Sequence, residues 1–197
     1  MIMYKTIVKP FLDFICAILC LPFLILIILF VSIIIKLDDK GPIFYISQRI
    51  GKNGKFFQII KFRTMKVNAE DIRLEDGSTF SSDTDYRVTR VGRILRKTSI
   101  DELPQIINIL RFQMSFIGPR PDPIDWLSKY PEEYKDFLKC KPGITGYNQA
   151  YFRNSSDGNE KMVNDLYYYQ NISLLMDIKI LLKTIIVVLK RENLYKK

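Results

Sequence analysis

A run of 25 residues near the N-terminus, from Phe11 to Ile35, carries a single charged side chain, Asp13. As a straight helix it would measure about 37 Å, which exceeds the thickness of a bilayer's hydrocarbon core, about 30 Å. The run is too long for a signal peptide, and no small-residue cleavage site follows it. It therefore predicts a membrane helix in a first unit over residues 1–40, with a second unit over residues 41–197.

Two topologies are open for this helix. It either spans the bilayer once, or it enters and turns back, since Pro22 interrupts the run near its middle and would bend it. Lysines flank both ends of the run: Lys5, Lys9, Lys36 and Lys40. The positive-inside rule therefore draws both ends to the cytoplasmic face.

The charge balance and the absence of histidine restrict the chemistry. A net charge of +9 predicts anionic partners, such as phosphorylated ligands, an anionic membrane face or nucleic acid. The chain has no histidine, which excludes histidine acid–base catalysis, Ser/His and Cys/His nucleophile pairs and His-containing zinc sites. Three cysteines form neither a disulfide framework nor a ligand pattern, which is typical of a reducing compartment.

The second unit has the pattern of an α+β fold. Two strands, Ile43–Ser47 and Phe56–Phe62, are joined by a Gly-Lys-Asn-Gly turn. A polar loop follows over residues 67–85, and then a cationic run whose arginines recur every third residue, a spacing that places them on one helix stripe. Helices are predicted over 103–112, 126–139, 163–170 and 172–190, with loop or short strand over 141–154. The last helix has the charge pattern of an amphipathic helix on a membrane surface.

Two adjacent carboxylates, Asp101 and Glu102, stand in the stretch RKTSIDELPQ, residues 96–105. They fit a helix start in two ways. Ser99 and Glu102 match a capping box, although Pro104 would then clash inside the helix. With Asp101 as the cap, Pro104 occupies a position that needs no intrahelical N–H. The third interpretation is that the pair carries the chemistry.

Several cations stand in segments suited to phosphate. The sequence GPRP at 118–121 fixes a loop that presents Arg120, whose planar fork matches phosphate oxygens, although a plain structural turn fits as well. The sequence KPGITG at 141–146 places a glycine-containing loop beside a lysine. The predicted phosphate-binding residues are Lys61, Arg63, Arg96, Arg120, Lys141 and Arg153. Asp83-Thr84-Asp85 matches the D-x-D of nucleotide-sugar glycosyltransferases, but it also fits a solvated turn.

Seven ordered segments carry a resemblance to a known family. They are KPFLD at 9–13, GPIFYISQRIG at 41–51, KFRTM at 61–65, RVTRVGRILRKTSIDELPQIINIL at 87–110, MSFIGPRP at 114–121, KPGITG at 141–146 and DLYYYQNISLLMDIKILLKTI at 165–185. With these segments the chain resembles the bacterial sugar transferases: monotopic polyprenyl-phosphate phosphoglycosyl transferases, in their small single-domain form.

The resemblance implies transfer of a sugar-1-phosphate from a UDP-sugar to undecaprenyl phosphate, with release of UMP, as the first step of glycoconjugate assembly. It implies that Asp101 is the nucleophile, and that Glu102 helps to hold Mg²⁺ or Mn²⁺ or handles a proton. Asp101 and Glu102 are thus also the expected metal ligands. The anchor would be a re-entrant helix in the bacterial inner membrane, and a small α/β-associated catalytic domain would lie on its cytoplasmic face.

The sequence departs from the family pattern at several places, of which two concern the membrane helix and the region of the acidic pair. Leu21 precedes Pro22 where the family usually has serine, and Phe112-Gln113 replaces a usual Gly-Asp. Two other functions stay open: a D-x-D glycosyltransferase that releases UDP, and a non-catalytic basic membrane tether. A nucleic-acid partner is not expected, since the cations alternate with phosphate-loop segments instead of forming a surface of basic and aromatic side chains.

Overall fold

The computed structural model describes residues 2–73, 80, 82, 84–152 and 155–190, which form a mixed helix and strand fold. A π-helical turn at Tyr4–Val8 leads into α1. In chain order the elements are α1 (Lys9–Asp39), β1 (Phe44–Ile50), β2 (Phe56–Phe62), α2 (Arg90–Thr98), α3 (Ile106–Leu110), β3 (Ser115–Ile117), β4 (Gly143–Thr145), α4 (Tyr147–Tyr151), α5 (Gly158–Asn171) and α6 (Leu174–Lys190). Shorter 3₁₀ segments connect several of them.

Two small sheets organise the described chain. Strands β1 and β2 pair antiparallel, from Phe44 opposite Phe62 to Ile50 opposite Phe56, so the predicted hairpin is confirmed and β1 is longer than expected. Its turn takes left-handed conformations at Asn53 (φ 57°) and Gly54 (φ 73°), which these residue types tolerate. Strands β3 and β4 pair in parallel and join the GPRP and KPGITG segments.

Helix α1 is continuous through Pro22, with 31 residues and a length of about 46 Å. Within the described residues, Tyr4–Asp39 is the one helix long and apolar enough to cross a membrane. One face packs against the rest of the protein: Ala17 and Leu24 join a core with Ile109 and Met114, while Val31 and Ile35 join one with Phe62 and Leu95. Most of its other apolar side chains are exposed.

Both ends of α1 are fixed to the residues that follow it. Near the first end, Lys9 Nζ donates to Asp177 of α6 at 2.8 Å, and Asp13 accepts from the Phe116 N–H at 3.1 Å. At the other end Asp39 pairs with both terminal nitrogens of Arg63. The contacts at the two ends therefore come from the same folded body.

Several predicted helices differ from the observed elements. The predicted helix over 126–139 is wrong: two 3₁₀ segments, Ile124–Trp126 and Glu132–Lys139, occupy this region. Pro131 separates them because its ring excludes the preceding helical hydrogen bond. Helix α5 begins at Gly158, earlier than predicted, because Asp157 and Glu160 form a capping box.

The arginines of the cationic run do not share one helix. Helix α2 begins at Arg90, where the Thr89 hydroxyl accepts from the Gly92 N–H at 2.9 Å. Arg87 precedes the helix and pairs with Asp85 at 2.7 Å, and both side chains are buried. The predicted single stripe is therefore wrong at Arg87.

Helix α6 confirms the predicted C-terminal helix but changes its polarity pattern. Asp177 points inward, where its carboxylate accepts from Tyr168 at 2.8 Å as well as from Lys9. The outward face is largely apolar. Its exposed large apolar side chains are Leu174, Leu175, Ile178, Leu181, Leu182, Ile185, Ile186 and Leu189, and the exposed lysines Lys179 and Lys190 accompany them.

Candidate active site

The Asp101–Glu102 pair lies in a 3₁₀ segment, Ile100–Gln105, which runs directly into α3. Ser99 ends α2 in a left-handed conformation (φ 57°), and its side chain makes no capping hydrogen bond within the described chain. Asp101 lies inside the turn and not at its cap. Both capping predictions are therefore wrong, and a different set of contacts holds the pair.

Asn108 fixes the segment that follows the acidic pair to strand β2. Its carboxamide accepts from the Ile60 N–H at 3.1 Å and donates to the Gln58 carbonyl at 2.7 Å, so it replaces a strand partner. The side chain is fully buried, at 0% exposure. Sequence reasoning missed Asn108, although a lone amide inside the apolar run IINIL is a signal for a buried polar contact.

Two cations hold Glu102. Its Oε1 accepts from Lys61 Nζ at 2.9 Å and from Arg120 Nη2 at 2.9 Å. Burial alone would raise the pKa of Glu102, but the charges of Arg120 and Lys61, with their hydrogen bonds, hold it below its usual range. Glu102 therefore stays ionised and fixed in place.

Asp101 has a different environment. Among the residues that the structure describes, no side chain or backbone N–H forms a hydrogen bond with its carboxylate. Burial and the neighbouring charge of Glu102 raise the pKa of Asp101 to about 6, against the opposing charges of Lys61, Arg96 and Arg120. The pair thus consists of one clamped carboxylate and one carboxylate with both oxygens available.

The loop that carries Arg120 is fixed against the KPGITG segment. The Gly118 N–H donates to the Thr145 carbonyl at 2.9 Å, and the Gly143 N–H donates to the Pro119 carbonyl at 2.9 Å. A Cβ on Gly118 would lie 2.4 Å from the Lys141 carbonyl oxygen, so only glycine fits this approach. The side chain of Arg120 is 45% exposed and contacts Glu102 through Nη2, so the rest of its fork faces outward.

A buried ionic network supports the same loop from α5. Asp122 Oδ2 accepts from the Tyr130 hydroxyl at 2.6 Å and from Lys161 Nζ at 2.7 Å. Lys161 also donates to Asp165 Oδ2 at 2.7 Å. One lysine cannot neutralise two buried carboxylates. Burial, opposed by Lys161 and reinforced by Asp122, raises the pKa of Asp165 to about 6.

Of the other predicted phosphate-binding cations, Arg96 acts on the pair through its charge, whereas Arg63 and Lys141 contact other residues. Arg63 follows β2 and donates hydrogen bonds to Asp39, Pro42 and Met65. These contacts indicate a structural role and do not support the prediction that Arg63 binds phosphate. Arg96 donates to the Thr64 hydroxyl at 2.9 Å, but its charge still acts on Asp101. Lys141 Nζ lies 5.1 Å from the ring centroid of Phe112. Arg153 lies outside the described residues.

The D-x-D prediction is not supported at its second acid. Asp85 is buried and pairs with Arg87, which donates through its side chain and its backbone N–H. Asp85 is therefore not accessible to a metal–nucleotide complex. Asp83 lies outside the described residues.

The acidic pair is a candidate magnesium site. Among the described residues, no group of three or more His, Cys, Asp or Glu side chains converges on one point. The two adjacent carboxylates still fit Mg²⁺, since this ion is usually held by one or two carboxylates together with substrate phosphates and water. Asp101 offers both oxygens, and Glu102 offers the oxygen that Lys61 and Arg120 do not occupy.

Comparison with known proteins places the chain in a family. Residues 4–191 match the bacterial sugar transferase family. A UDP-N-acetylgalactosamine-undecaprenyl-phosphate N-acetylgalactosaminephosphotransferase of Aeromonas hydrophila is 37% identical over 90% of this chain and 43% of its own length. An undecaprenyl-phosphate galactose phosphotransferase of Salmonella typhimurium is 41% identical over 80% of this chain and 35% of its own.

A third relative is similar in length to this chain. An exopolysaccharide production protein of Sinorhizobium fredii is 41% identical over 88% of this chain and 81% of its own length. By contrast, the chain spans less than half of the Aeromonas and Salmonella proteins. The family match nevertheless covers nearly the whole sequence, including the acidic pair, the Arg120 loop and the apolar helix. The chain belongs to the bacterial sugar transferase family.

Proposed function

We propose that this protein transfers a sugar-1-phosphate from a UDP-sugar to undecaprenyl phosphate and releases UMP, as the first step in the assembly of a glycoconjugate. The observation that carries the proposal is the asymmetry of the acidic pair. Asp101 has both carboxylate oxygens available, while Lys61 and Arg120 clamp Glu102 beside it. The names of the relatives, as galactose and N-acetylgalactosamine phosphotransferases, supply the substrate class.

The transfer proceeds by two displacements at phosphorus. An Asp101 oxygen attacks the phosphorus that bears the sugar and forms an acyl-phosphate ester, while the bond to the UMP oxygen breaks and UMP leaves with the electron pair. A phosphate oxygen of undecaprenyl phosphate then attacks the same phosphorus and displaces Asp101 as a carboxylate. Covalent catalysis of this kind divides one exchange between two phosphate anions into two separate steps.

The cations around the pair oppose the charge repulsion that an attacking carboxylate meets. Lys61 and Arg120 neutralise Glu102, and the exposed part of the Arg120 fork is free to bind phosphate oxygens in two-point contact. Mg²⁺, when bound by Asp101, Glu102 and the diphosphate, would stabilise negative charge on the phosphate oxygens. Arg96 adds positive charge next to Asp101 from helix α2.

We infer that α1 enters the membrane and returns to the same face, which requires a sharp bend at Pro22 because α1 is one continuous helix. The contacts at both of its ends support this topology. Lys9 pairs with Asp177 and Asp39 pairs with Arg63, and both partners belong to the body that carries the acidic pair. If α1 crossed the bilayer, this body would have to contact it on both sides. We therefore place both ends of α1, and the catalytic body, at the cytoplasmic face of the bacterial inner membrane.

A product assay tests the function. The purified protein is mixed with undecaprenyl phosphate, Mg²⁺ and each of a panel of UDP-sugars, and the released nucleotide is identified. UMP with a lipid-linked sugar diphosphate is expected. Release of UDP would favour the D-x-D alternative, and the absence of turnover with every UDP-sugar would favour a membrane tether.

A further inference from the structure

Arg49 lies beside the loop that carries Arg120. It is the penultimate residue of β1, and its backbone forms an antiparallel bridge with Pro123. The N–H of the next residue, Ile50, donates to the Asp122 carbonyl at 3.0 Å. The end of β1 is therefore hydrogen-bonded to the chain just after Arg120, and this contact sets Arg49 next to the proposed substrate site.

The guanidinium of Arg49 has no counter-ion within the described part of the chain. The residue is half-buried, and its side chain takes part in no hydrogen bond or ion pair with any described residue. The charge of Asp122 acts on Arg49, but the two residues form no ion pair, and Tyr130 and Lys161 donate to the Asp122 Oδ2. Burial lowers the pKa of the Arg49 guanidinium. The charges of Arg120 and Arg73 act in the same direction, and those of Tyr45 and Asp122 oppose it.

The buried arginines elsewhere in the described chain behave differently. Arg63 faces Asp39 and Arg87 faces Asp85, each with two guanidinium nitrogens on the carboxylate. Removing a cation from water without a partner costs several kcal/mol, typically more than a surface contact returns. A desolvated arginine next to a second arginine is therefore the arrangement expected where a ligand supplies the negative charge.

We propose that Arg49 binds phosphate oxygens of the substrate as a second guanidinium beside Arg120. The inference rests on the proposed function, because its ligand is a phosphate or diphosphate ester. Two sources supply that chemistry: the diphosphate of the UDP-sugar and the phosphate of the lipid acceptor. Arg120 links the site to Glu102, and Arg49 extends the same positive surface towards the end of β1.

Kinetics of three variants test the proposal. Arg49→Gln removes the charge, Arg49→Lys keeps it without the fork, and Arg73→Gln is the matched control. Arg73 also acts electrostatically on Arg49, but its own charge is paired with Asp71 at 2.8 Å and with Asp125 at 3.2 Å. We expect Arg49→Gln to raise the KM of one substrate by about tenfold or more. The KM of Arg49→Lys should lie between those of the wild type and Arg49→Gln, and the KM of Arg73→Gln should stay within about twofold of the wild type.

A second measurement uses the wild-type protein and so does not depend on the folding of a variant. Arginines are modified with phenylglyoxal and mapped by mass spectrometry, in the presence of UDP, undecaprenyl phosphate, or neither. Protection of Arg49 by UDP assigns it to the donor diphosphate, and protection by undecaprenyl phosphate assigns it to the acceptor. Arg93, exposed on α2, is the internal control that neither ligand should protect.

The outcomes separate this inference from the proposed function. Wild-type protein that releases UMP, together with an Arg49→Gln variant whose KM values for both substrates are unchanged, overturns the Arg49 assignment alone. The Arg49 assignment is also overturned if phenylglyoxal modifies Arg49 to the same extent under all three conditions. This includes the case in which Arg49 does not react at all. Wild-type protein that releases no UMP from any UDP-sugar refutes the proposed function itself.

Discussion

Asp101 and Glu102 are neighbours in the chain, but their surroundings drive their protonation in opposite directions. Two cations hold Glu102 ionised, whereas burial and the charge of Glu102 raise the pKa of Asp101 to about 6. A carboxylate that accepts no hydrogen bonds keeps its lone pairs for attack on another atom. This difference arises from the partners Lys61 and Arg120, which are 41 and 18 residues away from Glu102 in sequence.

Replacing Asp101 is the sharpest test at this scale. Asp101→Asn replaces the attacking carboxylate with a neutral amide of nearly the same size. Product formation should therefore fall by at least about a thousandfold while the protein stays folded. Wild-type protein mixed with a UDP-sugar and Mg²⁺, without lipid acceptor, should gain one sugar-phosphate by intact-protein mass spectrometry. Peptide mapping should place this adduct on Asp101.

The control for this variant is Asp136→Asn, which changes an exposed acid whose ion-pair partner among the described residues is Lys139. It should leave turnover unchanged. Robust lipid-linked product from Asp101→Asn would show that Asp101 is not the nucleophile. Glu102→Gln should also lower turnover, since it removes the charge that holds Lys61 and Arg120 in place.

Arg120 provides a second prediction. Arg120→Lys keeps the charge but loses the planar fork, and kcat/KM should fall at least about tenfold, or about 1.4 kcal/mol in the transition state. Arg111→Lys, an exposed position after α3, should have no effect and serves as the control. Kinetics of Arg120→Lys that match the wild type, in a folded protein, would mean that the GPRP loop is only structural.

At the scale of elements, the α5 network gives a pH-dependent prediction. The pKa of Asp165 is about 6 in the folded protein, above its unfolded value of about 3.9. A raised pKa means that folding favours the protonated form. Its contribution to stability is therefore full below about pH 4 and is lost as the pH rises through about 6.

Asp165→Asn isolates this contribution. The free energy of unfolding of the wild type, relative to the variant, should fall by about 2 kcal/mol between about pH 4 and about pH 7. Urea unfolding in detergent, followed by the fluorescence of the single tryptophan, Trp126, measures it, because this residue packs in a cluster with Tyr130, Phe137 and Met162. A constant difference across this range would show that folding does not raise the pKa of Asp165.

Sequence patterns predicted those elements whose determinants are local. The β1–β2 hairpin follows from alternating apolar residues and a turn with Asn53 and Gly54, and α6 from a long apolar run. The sequence also picked out Asp101, Glu102 and Arg120, by resemblance and by loop chemistry. The sequence did not predict the contacts among these residues, because Lys61 reaches Glu102 only after β2 has packed on the 3₁₀ segment.

Predictions failed where distant contacts override a local pattern. Lys61 and Arg63 were both predicted to bind phosphate, but β2 ends at Phe62 and Arg63 turns to Asp39. Ser99 matched a capping box, but it ends α2 in a left-handed conformation. The roles of Asn108 and Arg49 were not predicted, because they depend on the backbone groups and charges that the fold brings to them.

At the scale of the whole molecule, helix α1 is apolar on its outside and is attached to the rest of the described protein by polar contacts near its two ends. Helix α1 exposes large apolar side chains along its length, and α6 adds a second exposed apolar face. Between the two ends of α1, one face of the helix packs into the cores of the body through Ala17, Leu24, Val31 and Ile35. A bilayer that covers the apolar surface of α1 must therefore also accommodate the body packed along it, which is easiest if both ends lie at one face.

Cysteine labelling in cells tests this topology. In a background in which Cys16, Cys20 and Cys140 are replaced by serine, single cysteines are introduced by Ile2→Cys and by Lys40→Cys. Both positions are exposed and lie just beyond the two ends of α1. A membrane-impermeant maleimide applied to intact spheroplasts should label neither cysteine, and should label both after the inner membrane is permeabilised.

Lys135→Cys, on the surface of the catalytic body, is the reference for the cytoplasmic side, since its side chain is 37% exposed. It should behave in the same way as the other two positions if the helix returns to the face from which it entered. Labelling of Ile2→Cys from outside, with Lys40→Cys and Lys135→Cys protected, would mean that α1 crosses the bilayer. The Lys9–Asp177 contact would then have to break in the membrane, because Asp177 belongs to the body on the other side.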